Sequence, residues 1–493
     1  MNASEDGTQP LELLSFGGSI EFQSSEANPA APVTVEVDPT TIFQTIHGFG
    51  GAYTEATGLN YLKLSAENQE RMIRLYFDPL EGIGYTSGRV PMGSADFAVN
   101  DYSLDICNGN TSAPDPTLKC FDGNMTRDSG NGVIDLLKAA LSVAPQKLFI
   151  TPWSPPAWMK LPSGHGISMS GTASPNGLNP LYNVSLAAYF TAYAAAMKAK
   201  GVPLWGYTLQ NEPTAVAGWP QCKYTAQMAL EVLRDYVVPS MARDHPEMNL
   251  LIFDHNYDNV YSWAQVLYGD EKLRAAAWGA AVHWYTTPSL VSNLNRTHGD
   301  FPDKHIMHTE GCLCNGGPAG GKVVLPGSPM WYGLGEGYGF GLMSTLQNWA
   351  EGFHDWNMML DMGGGPYHER PFSCNAPMIQ NASDIILQTP YYYMGHFSKF
   401  LPPGTRVVGA MHYPSSSPPP AAPGSFYYQT ALAASSPFGV LAGVTPNGTS
   451  VLLVMNAQEQ AVNFNLKVGL GEGAFAFANV TAPAHSIQTL MWA

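Results

Sequence analysis

Residues 185–213 read SLAAYFTAYAAAMKAKGVPLWGYTLQNEP, and the fold follows from how this stretch divides. Ser185–Lys200 carries apolar residues at helical spacing and reads as an amphipathic helix. Leu204–Gln210 reads as a short apolar strand, and it ends in Asn211, Glu212 and Pro213. A helix feeding a strand, with polar residues where the strand stops, is one unit of a parallel α/β sheet.

The same unit recurs on both sides. Strand-like segments stand at Gly48–Tyr53, Tyr85–Met92 and Lys147–Pro152 before it. Further ones follow at Leu250–Asp254, Ala280–Trp284, His305–Thr309 and Phe353–Leu360. Amphipathic stretches Ser65–Phe77, Val133–Leu141 and Thr225–Asp244 lie between them. Eight strands alternating with helices predict a closed (β/α)8 TIM barrel rather than an open sheet. No GxGxxG marks a dinucleotide site.

The flanks follow another rule. Residues 29–46 contain PVTVEVDPTTIFQTI, which alternates with period two, and residues 402–493 are rich in strands such as SVLLVMNA and AVNFNLKV. They predict an antiparallel β-sandwich built from both chain ends, with 1–46 as its N-terminal part, 47–401 as the barrel and 402–493 as the remainder. The Pro/Ser-rich segment His412–Gly424 is expected to be a mobile loop of that sandwich.

Composition excludes some functions. A formal net charge of −16 argues against nucleic acid, whose affinity rests on Lys and Arg meeting phosphate. No apolar run is long enough to span a membrane, and the polar, acidic start Met1–Thr8 does not read as a signal peptide. Eight Asn-X-Ser/Thr sequons, starting at Asn2, Asn110, Asn124, Asn183, Asn295, Asn381, Asn447 and Asn479, point towards a secreted origin. Of six cysteines, Cys107 and Cys120 flank a polar loop that a disulfide would close, whereas Cys312 and Cys314 are too close in an extended strand to pair easily.

Reactive side chains of such a barrel gather at the C-terminal ends of its strands. Arg89 ends the second strand, with Asp96 soon after. Trp153 ends the third, Asn211-Glu212 the fourth, His283-Trp284-Tyr285 the sixth, Glu310 the seventh, and Trp356 lies on the eighth. Glu212 and Glu310 lie across the mouth from each other. Cleavage of a glycosidic bond with retention needs two carboxyls about 5–5.5 Å apart, one to protonate the leaving oxygen and one to attack. Glu212 is the candidate acid/base, its pKa raised by burial and by the neighbouring charge, and Glu310 the nucleophile, kept ionised by Arg89 and Tyr285. Asn211 would reach the sugar 2-hydroxyl, Asp96 a pair of hydroxyls, and the three indoles the apolar sugar face. His283 is a supporting residue. His305, His308, Cys312 and Cys314 carry ligand types that suit zinc, but alternation puts the two histidines on opposite strand faces, and the chemistry needs no metal and no organic cofactor.

These motifs carry a resemblance. HGFGGAYTEA, GIGYTSGRVPMGSADF, TPWSPPAWMK, TLQNEP, AVHWY, HTEGC, HDWNMML and YYMGHFSKFLPPG make the chain similar, from about His47 to Trp492, to glycoside hydrolase family 30, and within it to the glucosylceramidase (acid β-glucosidase) branch. The resemblance implies the same barrel and sandwich and a retaining mechanism. It places the acid/base on Glu212 and the nucleophile on Glu310. Sugar contacts fall on Asp96, Trp153, Asn211 and Trp356, and the aromatic pair beside the nucleophile on Trp284 and Tyr285. The chain departs from animal members at Tyr367, where they carry Asn. The implied substrate is a β-glucoside, a glycolipid presented at a membrane or micelle surface, in a secreted, lysosomal or vacuolar setting. Family members that cleave β-1,6-glucan, β-xylosides or β-fucosides supply the alternative substrates, and a glycan-binding barrel without activity is the alternative of another class. Loop Gly316–Pro329 is expected to border the leaving-group side.

Overall fold

The computed structural model describes residues 17–22, 28, 30–314, 323–324, 331–368, 374–416, 437–471 and 473–493. The chain enters through β1 (Val33–Thr45) and then closes a parallel barrel of β2 (Gly48–Ala52), β3 (Ser87–Pro91), β4 (Lys147–Thr151), β5 (Gly206–Thr208), β6 (Asn249–Asn256), β7 (Ala277–His283), β8 (His305–Gly311) and β9 (Gly352–Asp355). Barrel strands face side chains on one side and helices on the other, so they are buried throughout, as in the all-buried runs of β2 and β3. Close packing of the first two strands demands Gly50, where a Cβ would lie within 1.8 Å of the Ser87 carbonyl oxygen. At the N-terminal end the barrel is filled by Phe149, Leu251, Ala281 and Met307, with Trp205 and Trp278 packed against them.

The helices start where their sequences provide caps. Thr54, Ser65, Thr225 and Asp270 each accept a hydrogen bond from a backbone N–H in the first turn of the helix that follows. The stretch expected as one helix over Thr225–Asp244 is interrupted by a π-helical turn at Leu233–Val237. Pro239 has no N–H to offer the Asp235 carbonyl, which removes one α-helical hydrogen bond there.

The eighth strand also differs from expectation. Phe353–Leu360 does not run through as one strand. The barrel strand stops at Asp355, the Trp356 N–H turns to the Gly311 carbonyl (2.9 Å), and the chain resumes as β10 (Met359–Asp361) in a small separate sheet with β11 (Met378–Asn381) and β12 (Asp384–Leu387).

After the helix Thr389–Phe400 the chain forms β13 (Arg406–Pro414), β14 (Phe438–Val444), β15 (Ser450–Asn456), β16 (Val462–Gly471), β17 (Ala474–Ala482) and β18 (Ser486–Trp492). Together with β1 they make a seven-stranded sheet in the order β17-β16-β1-β13-β14-β15-β18. All its pairs are antiparallel except β1 with β16, and its strands enclose a second apolar core of Val35, Val37, Val440, Val454, Phe464, Leu466 and Val480 among others. The N-terminal strand therefore sits in the middle of a sheet made otherwise from the C-terminal region. Polar contacts tie the sandwich to the barrel: Gln44 donates to the carbonyls of Leu346 and Ala350, and Gln347 to that of Val440. Most of the Pro/Ser-rich segment His412–Gly424 and of the loop Gly316–Pro329 lies outside the described residues.

Cys107 is bridged to Cys120. Cys314 is bridged to Cys374, and the Cys312 sulfur lies against the same bridge, so three sulfurs meet just beyond the end of β8.

Candidate active site

The barrel brings Glu212 and Glu310 to one mouth by different devices. Glu310 is on the inner side of β8, one residue from its end, and almost fully buried. Glu212 lies just beyond β5 with φ of 47°, a left-handed backbone that a side chain disfavours. Two hydrogen bonds hold it there: its N–H donates to the Asp254 carbonyl (2.9 Å), and its carbonyl accepts from Gln221 Nε2 (2.8 Å).

The partner strand β6 is strained as well. Phe253 and Asp254 have φ of 76° and 69°, and the register with β7 slips between Phe253 and His255. In a regular strand Asp254 and His255 would point to opposite faces. The bulge turns both into the mouth, where Asp254 meets Arg89 and His283 while His255 meets Glu212.

Arg89 and Asp254 form the floor, both fully buried. Arg89 donates to Glu310, to Asp254 Oδ2 (2.8 Å) and to Asn211 Oδ1 (2.8 Å), and its guanidinium lies over the Trp153 ring at 4.6 Å. A buried cation persists only when it is paired and hydrogen-bonded in this way. Asp254 accepts four hydrogen bonds: Oδ2 from Arg89 and Thr208, Oδ1 from Thr309 (2.7 Å) and His283 Nε2 (3.0 Å). Burial alone would raise its pKa, but the Arg89 charge and the His283 and Thr309 hydrogen bonds outweigh that and hold it far below the usual carboxylate range.

This fixes His283. Its Nε2 faces an ionised acceptor and must carry hydrogen, so in the neutral ring Nδ1 is a lone pair. That Nδ1 lies 3.3 Å from Glu212 Oε1. Burial disfavours the imidazolium, but the Glu310 charge and the bonds to Asp254 and Glu212 win, raising His283 to about 9. Glu212 and His283 thus share one proton between Oε1 and Nδ1. The expectation of a raised Glu212 pKa is corrected. Burial does push it up, but the imidazoles of His255 and His283 pull it below the ordinary value. For Glu310, burial prevails over the His283 and Arg89 charges and raises it. Asp96 is pushed up to about 8 by burial and by the Glu310 charge, and its Oδ1 is buried without a hydrogen-bond partner.

The aromatic residues divide. Trp153 and Trp356 stack on each other with centroids 4.8 Å apart and planes 13° apart. Tyr285 is partly exposed on the rim; burial and the Glu310 charge that its hydroxyl faces raise its pKa, and the hydroxyl sits 3.4 Å from Cys312 Sγ. Trp284 does not join them. Its ring packs on His308, Tyr338 and Phe353, fills the space that Gly311 and Gly341 leave, and donates its N–H to the Cys312 carbonyl (3.2 Å). Trp284 thus packs beside β8, and it remains half-buried. Asn211 Oδ1 accepts from Arg89, which leaves its Nδ2 as a donor towards the mouth. Tyr367 sits edge-on to Phe97, the neighbour of Asp96.

The histidines weighed as zinc ligands face elsewhere: His305 pairs with Glu351 (2.7 Å), and His308 Nε2 bonds the Glu310 carbonyl oxygen (2.9 Å). Donor atoms of Glu212, His255 and His283 lie within 4.8 Å of one another. Asp254 and His255 are the residues that sequence reasoning missed. The signal was present, since Phe253-Asp254-His255-Asn256 ends an apolar strand in polar residues just as Gln210-Asn211-Glu212 does.

The model of the glycosyl hydrolase family 30 TIM-barrel domain matches residues 46–401, and that of the family's β-sandwich domain matches 430–490. Putative glucosylceramidase 4 of Caenorhabditis elegans is 32% identical over 82% of this chain and 79% of its own. Lysosomal acid glucosylceramidase of Mus musculus is 28% identical over 99% of this chain and 91% of its own. Among solved structures, SrfJ from Salmonella typhimurium superposes with a TM-score of 0.81 at 26% identity, covering 96% of this chain and 95% of its own. A barrel matched over most of the chain, a sandwich matched behind it, and two carboxyls at the barrel mouth make this chain a glycoside hydrolase that belongs to glycosyl hydrolase family 30.

Proposed function

We propose that this glycoside hydrolase is a retaining β-glucosidase whose substrate is glucosylceramide, with Glu310 as nucleophile and Glu212 as acid/base. The observation that carries the reading is the convergence of both carboxyls on one buried Arg89–Asp254–His283 network. Glu310 attacks the anomeric carbon. The bond to the leaving oxygen breaks as Glu212 delivers the proton it shares with His283, giving a glycosyl ester on Glu310 and a free alcohol. Glu212 then takes a proton from water as the water oxygen attacks the same carbon, which frees glucose with its original configuration and restores both carboxyls. Asp96, with an unpartnered buried oxygen, takes sugar hydroxyls, and Trp153 and Trp356 form the apolar floor.

The lipid reading is supported by the rim. Val99, Ile167, Val216, Leu290 and Met362 are exposed, and they belong to the loops that follow β3, β4, β5, β7 and β9 at the mouth. Exposed apolar side chains on the loops of the mouth suit an acyl-chain leaving group better than a run of further sugars. Among the described residues no helix is long and apolar enough to cross a membrane. Kinship with a lysosomal enzyme and the eight sequons suit a lysosomal or secreted setting.

The test is glucose release from glucosylceramide in detergent micelles, beside β-1,6-glucan, by wild type and Glu310→Gln. Preference for the lipid, abolished in the variant, is the expected result. Cleavage of glucan alone would keep the barrel chemistry and overturn the lipid substrate; a fully active variant would overturn the nucleophile.

A further inference from the structure

The proton that Glu212 shares with His283 has a second neighbour. His255 Nδ1 lies 3.3 Å from Glu212 Oε1, the same oxygen that His283 Nδ1 approaches, also at 3.3 Å. The two imidazoles meet at right angles, 6.3 Å between centroids, with the carboxyl oxygen between their Nδ1 atoms. His255 is buried, its Nδ1 makes no well-aligned hydrogen bond, and the ring is held by Phe253 on one side. It reaches this place only through the bulge in β6, at the cost of two consecutive residues with positive φ. Strain kept at that position points to use of both side chains it re-aims. Asp254 is used by the floor. His255 faces the carboxyl of Glu212.

We propose that His255 is a positioning residue for the acid/base: from 3.3 Å away it turns its Nδ1–H onto Glu212 Oε1 opposite His283 when substrate is bound, and so sets the pH above which Glu212 no longer delivers its proton. The proposal rests on the reading of Glu212 as acid/base. The charged and titratable groups facing Glu212 are His255 and Asp254 from β6, His283 and Tyr285 from β7 and its end, Glu310 from β8, and Arg89 and Asp96 from β3 and its loop. Of these, only His255 and His283 bring a ring nitrogen to Oε1. His283 is already committed through Nε2 to Asp254, which makes it a proton carrier with a fixed tautomer. His255 has no such anchor, so its donor is the adjustable one. A donor on a carboxylate favours the ionised form, so its loss leaves Glu212 protonated to higher pH.

The acid matters only for leaving groups that need a proton. The experiment therefore compares an alkyl β-glucoside with 2,4-dinitrophenyl β-glucoside across pH 4–9, for wild type, His255→Phe, His255→Asn and Glu212→Gln, each checked by thermal unfolding. For His255→Phe the basic limb of kcat/KM on the alkyl glucoside is expected to move up by about 1 pH unit, with a loss of roughly tenfold or more at the optimum. The dinitrophenyl substrate should be cleaved within about threefold of wild type. His255→Asn, which places an N–H near Oε1, should restore most of the alkyl-glucoside activity. A His255→Phe limb that stays at the wild-type pH, or equal losses on both substrates in a folded variant, would overturn the role of His255. Glu212→Gln separates the two readings. If it too loses both substrates equally, the acid/base assignment itself fails; if it spares the dinitrophenyl substrate while His255→Phe behaves as wild type, only the positioning role fails.

Discussion

Asp254 Oδ1 accepts from His283 Nε2 at 3.0 Å, and this one contact decides which nitrogen of His283 faces Glu212. The carboxylate does not touch Glu212 with its side chain. It acts by fixing a tautomer and by holding Arg89 from its other oxygen.

Asp254→Asn keeps the shape and removes the anion. The amide can present a hydrogen to Nε2, which reverses the tautomer, and Arg89 loses one of its two counter-ions. We expect kcat/KM on an alkyl glucoside to fall by about 10²-fold or more, with a smaller loss on 2,4-dinitrophenyl β-glucoside. Equal activity of the variant and wild type would remove the tautomer argument.

Arg89→Met leaves Glu310 and Asp254 buried together without their cation. Breaking a buried pair from one side costs about 3–5 kcal/mol, and urea unfolding should read a loss of that order. Arg89→Lys keeps the charge but cannot donate to Glu310, Asp254 and Asn211 at once, so it should recover part of the stability and little activity.

The raised His283 gives a pH signature for stability. A histidine bound more tightly to its proton in the folded state stabilises fully below its ordinary pKa of 6.5, and this stabilisation is lost as pH rises through about 9. The melting temperature should therefore fall between pH 6.5 and 9, by the equivalent of up to about 3 kcal/mol. His283→Asn should melt lower at pH 6 and show a flatter profile over that window; an unchanged slope would show that other groups dominate.

Asp96 moves stability in the same direction for a different reason. Burial and the Glu310 charge disfavour its ionised form and raise it to about 8, so stability is lost as pH rises from the ordinary carboxylate value of 3.8 to about 8. Asp96→Asn should be nearly as stable as wild type at pH 4 and increasingly more stable than it up to pH 8. It should also lose sugar affinity, with kcat/KM down by about 10²-fold, because the amide cannot accept from two hydroxyls. Paired melts and kinetics at both pH values test this.

The eight-strand rhythm, the period-two flanks and the polar strand ends were legible in the sequence because they are local. A strand buried on both faces must be apolar along its length, a half-buried one must alternate, and a barrel strand can be polar only where it leaves the barrel. That placed Glu212, Glu310, Arg89 and His283 on one rim before any coordinates. The break of the eighth strand at Trp356 was not legible, since Phe353–Leu360 contains neither Gly nor Pro to mark a turn. Nor was the packing of Trp284, because an indole suits a sugar and a core equally well. Cys314 finds Cys374 sixty residues away, which no spacing rule selects. The bulge of β6 is the clearest case. Alternation assigns Asp254 and His255 to opposite faces, and only the slip of register against β7, held by the Glu212 N–H on the Asp254 carbonyl, brings both to the surroundings of Glu212. Sequence by itself determined which residues could do chemistry and at which end of the barrel. Tertiary structure alone decided their hydrogen-bond partners, and with them the proton positions, because those depend on distances between strands that periodicity does not encode.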